Sequence, residues 1–167
     1  MADLLDSVVE PDGAADHQMF GICDERAPID ADLAAPVPGH GWLGVGKSAV
    51  LLRVATDFLG LHVAIERWND EPPEVQAPEV TDTVLLHFPT GSLTYDAVAG
   101  GLKPDFFTVP PGTYNVRISG WGRADIWDKW SEINDDLDGD EAERATRALR
   151  GHERYLFQLW PSGPTPR

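Results

Sequence analysis

Residues 41–59, GWLGVGKSAVLLRVATDFL, are compatible with two different folds. Their first eight residues, Gly41 to Ser48, match the phosphate-binding loop motif G-x-x-x-x-G-K followed by Ser or Thr. In such a loop, backbone N–H groups surround phosphates while the lysine and the hydroxyl contact phosphate and Mg²⁺. The motif works only between a buried strand and a helix. The structure of residues 48–56 therefore separates an α/β nucleotide-binding fold from a β fold.

The residues on both sides of the motif favour the β fold. Pro36 and Pro38 precede it, and proline removes backbone donors that a central strand needs. Residues 48–56 alternate in a strand-like pattern, with Val50, Leu52 and Val54 on one face. In addition, no N-K-x-D element occurs, and no apolar run ends in an aspartate suited to hold Mg²⁺. We favour a strand, and the alternative is a nucleotide-binding enzyme that uses Gly41, Gly46, Lys47 and Ser48.

Short apolar runs rich in β-branched and aromatic residues recur along the chain between Gly and Pro turn signals. This pattern predicts a mainly β protein, an antiparallel β-sandwich of about eight strands. We expect one hairpin between runs 48–56 and 61–68 and another around residues 89–91, whereas residues 24–47 have loop character. The runs are 17–23, 48–56, 61–68, 83–88, 92–98, 105–109, 113–120 and 153–160.

A helical insertion near residues 124–151 interrupts the β pattern. Ile126, Trp127, Trp130 and Ile133 recur at helical spacing, and residues 140–150 are mostly good helix formers, which Gly151 would end. The insertion would connect two neighbouring strands. The sequence thus predicts one domain over residues 1–160, followed by a disordered proline-rich tail at 161–167.

The composition restricts the possible partners. The formal net charge is −15. Such a charge repels DNA, RNA and anionic membranes, and it favours a basic protein partner. Cys23 is the single cysteine, which fits a reducing cytoplasm, and no signal peptide or membrane span is predicted. The oligomeric state stays open.

Catalytic and metal-binding signatures fail on inspection. Residues 134–139 imitate the first half of an EF-hand loop, but the twelfth position is Ala145 instead of glutamate. The five histidines are scattered, and no G-x-S-x-G or H-E-x-x-H motif occurs. We therefore predict no catalytic residue, no metal and no cofactor, and we lean towards a protein that is not an enzyme.

Three tryptophans border a run of aspartates near the helical insertion. Aromatic side chains anchor protein interfaces, and nearby charge steers a partner of opposite sign. An alternative role for these tryptophans is packing of the helix onto the sheets. We predict a partner-binding surface composed of Trp121, Trp127, Trp130, Asp135, Asp136, Asp138 and Asp140.

The order of these segments resembles a group of uncharacterised bacterial β-sandwich proteins of actinobacterial type. The resemblance rests on the loop before residues 49–52, the hairpin that leads to Glu66-Arg67-Trp68, the strand after Pro110-Pro111-Gly112, the segment 120–123 and the closing run 153–161. More distantly, the string His17–Phe20 and the P-x-G-x-Y strand are similar to the competence protein J family of nuclease inhibitors. The resemblance implies a non-enzymatic sandwich, an inhibitor or immunity-type protein with a basic partner such as a nuclease.

Overall fold

The computed structural model describes residues 1–163, which are mainly β, with ten strands and two α-helices. Residues 164–167, most of the predicted disordered tail, lie outside the described range, and Pro161 is the last residue of the final strand. No helix within residues 1–163 is long and apolar enough to cross a membrane. The elements are β1 (Leu4–Gly13), β2 (Met19–Asp24), β3 (Leu43–Val45), β4 (Ala49–Arg53), β5 (Leu61–Trp68), β6 (Val80–Phe88), β7 (Ser92–Asp96), β8 (Leu102–Thr108), β9 (Gly112–Trp121), α1 (Ile126–Asp136), α2 (Gly139–Ala148) and β10 (Arg154–Pro161).

The strands form two five-stranded sheets. The first sheet has the order β1-β5-β10-β9-β6, and the second has the order β3-β4-β2-β7-β8. Neighbouring strands are antiparallel with one exception, because β10 lies parallel to β5 with Phe157 opposite Ile65. The predicted antiparallel arrangement is therefore correct for every pair but this one.

One buried apolar cluster receives side chains from both sheets. Phe20 of the second sheet is fully buried, and its ring centroid lies 5.3 Å from that of Tyr155 and 6.1 Å from that of Phe157 in the first sheet. On β5, Val63 and Ile65 point into the same cluster, as strand alternation requires. Burial of these apolar and aromatic side chains holds the two sheets together.

Both predicted hairpins are wrong. Strand β4 lies in the second sheet and β5 in the first, so residues 54–60 cross from one sheet to the other. Residues 89–91 make the same kind of crossing between β6 and β7. Alternation along a strand shows which side chains are buried, but it does not show which strand lies beside it.

Two strands were not predicted from the sequence. Strand β1 is an edge strand whose side chains are mostly exposed, so its apolar residues do not alternate clearly. Strand β3 has only three residues and lies inside the segment predicted to be a loop. The eight predicted strands are all present, and these two additions give the observed ten.

The predicted helical insertion is confirmed. Helices α1 and α2 lie between β9 and β10, which pair with each other from Trp121 opposite Arg154 onward. The connection from β9 into the insertion passes through a position that only glycine can occupy without strain. Gly122 has a φ of +72°, and a Cβ there would lie 2.1 Å from the carbonyl oxygen of His152.

Candidate partner-binding surface

The phosphate-loop motif lies in a context that excludes its function. Strand β4 begins directly after Ser48, where a phosphate-binding loop requires a helix. The N–H of Gly46 donates to the carbonyl of Ala49 at 2.9 Å, and the N–H of Ser48 donates to that of Leu33 at 3.0 Å. Ser48 is completely buried. These amides and this hydroxyl are turned to the protein, so the nucleotide-binding alternative is wrong.

Close backbone packing explains the glycines of the motif. A Cβ at Gly44 would lie 1.8 Å from the carbonyl oxygen of Pro36, and one at Gly46 would lie 2.1 Å from that of Ala34. Gly41, in contrast, has open space around it. The covering segment of residues 25–38 thus passes directly over the loop, and only glycine leaves room for it.

Two of the three predicted tryptophans meet on helix α1 and are joined by a third aromatic residue. The ring centroid of Phe58 lies 5.3 Å from that of Trp127 and 5.0 Å from that of Trp130, and the two tryptophans are 5.9 Å apart. All three contacts are edge-to-face, the geometry that aromatic quadrupoles favour. We call Phe58, Trp127 and Trp130 the aromatic cluster.

The aromatic cluster lies outside the buried core of the sheets, and two of its members are strongly exposed. Trp127 keeps 44% of its surface accessible and Phe58 keeps 48%. Sequence reasoning missed Phe58, although an aromatic residue in the short connection Asp57–Gly60 between two apolar runs was an available signal. Packing of α1 onto the 54–60 crossing accounts for part of each ring and leaves the rest facing solvent.

A buried carboxylate fixes the crossing that carries Phe58. The Glu153 side chain accepts hydrogen bonds from the N–H of Ala55 at 2.7 Å and from the N–H of Thr56 at 3.2 Å. At the same residue, the indole N–H of Trp127 donates to the carbonyl oxygen of Ala55 at 2.9 Å. Residue 55 therefore links the first residue before β10 to helix α1, and this link positions the aromatic cluster.

Glu153 itself belongs to a buried network. The Tyr155 hydroxyl donates to its carboxylate at 2.6 Å, and the Arg123 guanidinium lies 3.9 Å away. Arg123 also donates to the carbonyl oxygen of Arg53 at 2.8 Å. Burial raises the pKa of the Glu153 carboxyl, while the hydrogen bonds that it accepts and the charge of Arg123 act in the opposite direction. With its oxygens occupied by these donors, the carboxylate has a structural role.

Trp121 has partners different from those of Trp127 and Trp130. Its indole N–H donates to the carbonyl oxygen of Gln76 at 3.1 Å, and the guanidinium of Arg154 lies 5.1 Å from its ring centroid. It contacts no member of the aromatic cluster by ring stacking within residues 1–163. The structure thus brings two of the predicted anchors together and keeps the third apart.

The predicted aspartates lie at the junction of the two helices. Asp135 and Asp136 end α1, Asp138 directly precedes α2, and Asp140 lies in its first turn. All four are exposed, and in the described part of the chain none forms an ion pair. Residues 124–143 contain nine Asp and Glu against the single cation Lys129. The insertion therefore presents a strongly negative surface.

Comparisons with known structures show what this fold is similar to. No protein-family model matches the chain, and the search of curated proteins finds no match. The crystal structure of ComJ from Bacillus subtilis, an inhibitor of the DNA-degrading activity of NucA, superposes with a TM-score of 0.54 at 11% identity, covering 96% of this chain and 98% of that one. The product of crocagin biosynthetic gene J superposes with a TM-score of 0.53 at 19% identity, covering 98% and 99%. At these identities the likeness concerns the fold, and it confirms the structural resemblance to the nuclease inhibitor.

Proposed function

We propose that this protein is a non-enzymatic, inhibitor-type β-sandwich that binds a basic protein such as a nuclease. The observation that carries the proposal is an exposed aromatic cluster beside a run of aspartates that form no ion pair within residues 1–163. Likeness of fold to an inhibitor of a nuclease supports the same class of function.

Exposed aromatic side chains held in a fixed arrangement are suited to anchor a partner. Binding energy at interfaces concentrates in Trp, Tyr and Arg that become buried on association. Phe58 and Trp127 each leave nearly half of their surface in water, while their contacts with Trp130 and with Ala55 restrict their movement. A partner that covered them would gain apolar burial with little loss of side-chain entropy.

The negative charge around this cluster favours a partner with a positively charged surface. Asp135, Asp136, Asp138 and Asp140 would steer a basic surface during encounter, since opposite charges accelerate association at low ionic strength. We place Trp121 at the periphery of the interface, because its ring stacks on no member of the aromatic cluster within residues 1–163. The single cysteine, Cys23, fits a reducing cytoplasm, which we propose as the compartment.

The test compares capture of partner proteins by the wild type and by two matched variants. Trp127→Ala removes an exposed anchor, whereas Leu85→Ala removes an exposed side chain from β6 with 58% accessibility. Extract from the encoding organism is passed over each immobilised protein at about 0.05 M and about 0.5 M salt. We expect a basic protein to bind the wild type and the Leu85→Ala variant at low salt only, and to bind Trp127→Ala at least about tenfold more weakly.

The captured protein is then assayed for DNA degradation with increasing amounts of each variant. Inhibition by the wild type, with a matching loss in Trp127→Ala, would support the inhibitor role. Equal capture by Trp127→Ala and the wild type, or capture that does not depend on salt, would contradict the proposed binding surface. If a basic partner is captured but its activity is unaffected, the protein binds that partner without inhibiting it, and the inhibitor role is contradicted.

A further inference from the structure

A cavity of about 180 Å³ lies against the second sheet, beside the small cluster of Cys23, Ala27 and Ala49 that is separate from the main core. Its floor is formed by strands β2 and β4, and residues 25–38 cover it. Gly21, Cys23 and four alanines are among its lining residues, and Asp96 of β7 also lines it. The lining residues are Gly21, Ile22, Cys23, Ala27, Pro28, Ala34, Ala35, Ala49, Val50, Leu51 and Asp96.

The strand register explains why this space is open. Gly21 lies opposite Leu51 on one side and Asp96 on the other, so no side chain stands in front of the carboxylate. A Cβ at Gly21 would lie 2.4 Å from the carbonyl oxygen of Val50, and the position is therefore restricted to glycine. Two residues further along β2, Cys23 lies opposite Ala49 of β4.

The floor of the cavity is apolar. Cys23 keeps 4% of its surface exposed, and burial raises the pKa of its thiol to about 12, so the thiol stays neutral. It packs with Ala27 and Ala49 in a small apolar cluster separate from the main core. A neutral thiol among alanines supplies van der Waals contact and no charge.

Asp96 is the one charged group of this cavity. One of its oxygens accepts the N–H of Val98 at 2.7 Å, which leaves the other oxygen available. Within residues 1–163, Asp96 forms no ion pair, and burial raises the pKa of its carboxyl. A carboxylate that is partly removed from water and has no cation beside it is stabilised by a cationic ligand.

We propose that this cavity binds a primary alkylammonium group carried on a short unbranched chain. The ammonium would lie at Asp96, and the chain would extend over Gly21, Cys23 and Ala49. Anions are disfavoured by a protein of net charge −15, and a volume of about 180 Å³ favours a short chain over a bulky one. The group could be supplied by a free amine or by a lysine side chain, and these two sources share the same chemistry.

The proposal is tested by titrating the full ¹⁵N-labelled chain with butylammonium chloride at neutral pH and recording amide spectra. We expect saturable shifts confined to the amides of Gly21, Cys23, Ala49 and Asp96. Asp96→Asn keeps an oxygen for the Val98 N–H and removes the charge, and it should weaken binding at least about tenfold. Glu74→Gln, which removes an exposed carboxylate elsewhere, should leave binding unchanged.

A second variant at a different position distinguishes loss of binding from misfolding of the Asp96→Asn variant. Ala35→Leu, on the half-buried cover, places a larger side chain in the cavity next to Cys23 and Ala49, and it should abolish the shifts. A parallel titration with lysine blocked at both its amino and carboxyl ends separates the sources, since shifts at the same amides would show that a lysine side chain fits. Shifts spread over the acidic helices, or equal affinity in wild type, Asp96→Asn and Ala35→Leu, would overturn the proposal.

Discussion

At the scale of single residues, Gly41 and Gly46, the two glycines that define the phosphate-loop motif, have different structural environments. A Cβ at Gly46 meets the backbone of Ala34 at 2.1 Å, whereas one at Gly41 meets nothing within 4 Å. We expect Gly46→Ala to lower the free energy of unfolding by about 1–3 kcal/mol, because the covering segment must move. Gly41→Ala should change it by less than about 0.5 kcal/mol.

Chemical denaturation of the two variants measures this difference. A phosphate-binding loop would depend on both Gly41 and Gly46 for ligand contact, while a packed entry to β4 depends on Gly46 and not on Gly41. Equal free energies of unfolding for Gly41→Ala and Gly46→Ala would contradict the packing explanation. The spacing of the glycines was visible in the sequence, but the strand that follows and the segment that covers them depend on long-range contacts.

At the scale of elements, one ion pair joins an edge strand of each sheet. Lys103 of β8 donates to the carboxylate of Glu10 on β1, and this bond lowers the pKa of Glu10 below its ordinary value of 4.5. A carboxyl with a lowered folded-state pKa stabilises the fold above its unfolded pKa and loses this effect as the pH falls through the folded pKa. The ammonium also lies 5.5 Å from the Phe106 ring centroid.

Lys103→Met should therefore lose stability in a pH-dependent way. We expect a loss of less than about 1 kcal/mol at neutral pH, because the lysine is well exposed to solvent. The difference between wild type and variant should shrink as the pH falls below the ordinary Glu10 value of 4.5. Thermal unfolding at a series of pH values measures it, and a difference that stays constant down to the lowest pH would show that the lysine acts through packing alone.

The elements themselves were largely predictable, and their partners were not. Each of the eight predicted runs forms a strand, and the insertion holds the expected helices. The crossings at 54–60 and 89–91 resemble hairpin turns in the sequence, but they lead to the other sheet. Local patterns fix burial and element type, whereas the choice of neighbour depends on strands far away, as the parallel pairing of β5 with β10 shows.

At the scale of the whole molecule, the candidate partner-binding surface was also only partly predictable from the sequence. Helical spacing placed Trp127 and Trp130 together, and the structure agrees. Phe58 joins them only because residues 54–60 cross between sheets and are held by Glu153. The surface therefore combines a helix, a crossing and the entry to β10, three segments whose meeting could not be predicted from spacing.

Sheet membership alternates along the chain in a way that favours cooperative unfolding. Neither sheet is a continuous segment, since β1 and β5 flank the second-sheet strands β2, β3 and β4. Both sheets also share one buried cluster, in which Phe20 contacts Tyr155 and Phe157 across the interface. We therefore expect residues 1–160 to unfold as a single unit.

Phe20→Ala tests this expectation. Removing a fully buried phenylalanine should lower the free energy of unfolding by about 3–5 kcal/mol. Because Phe20 belongs to the second sheet, an independent sheet would confine that loss to its own strands, whereas a shared core transmits it to both. Hydrogen exchange under native conditions should show equal loss of protection at the slowest amides of β2 and β10. Loss restricted to β2 and its neighbours, with β10 protected as in the wild type, would show two units instead of one.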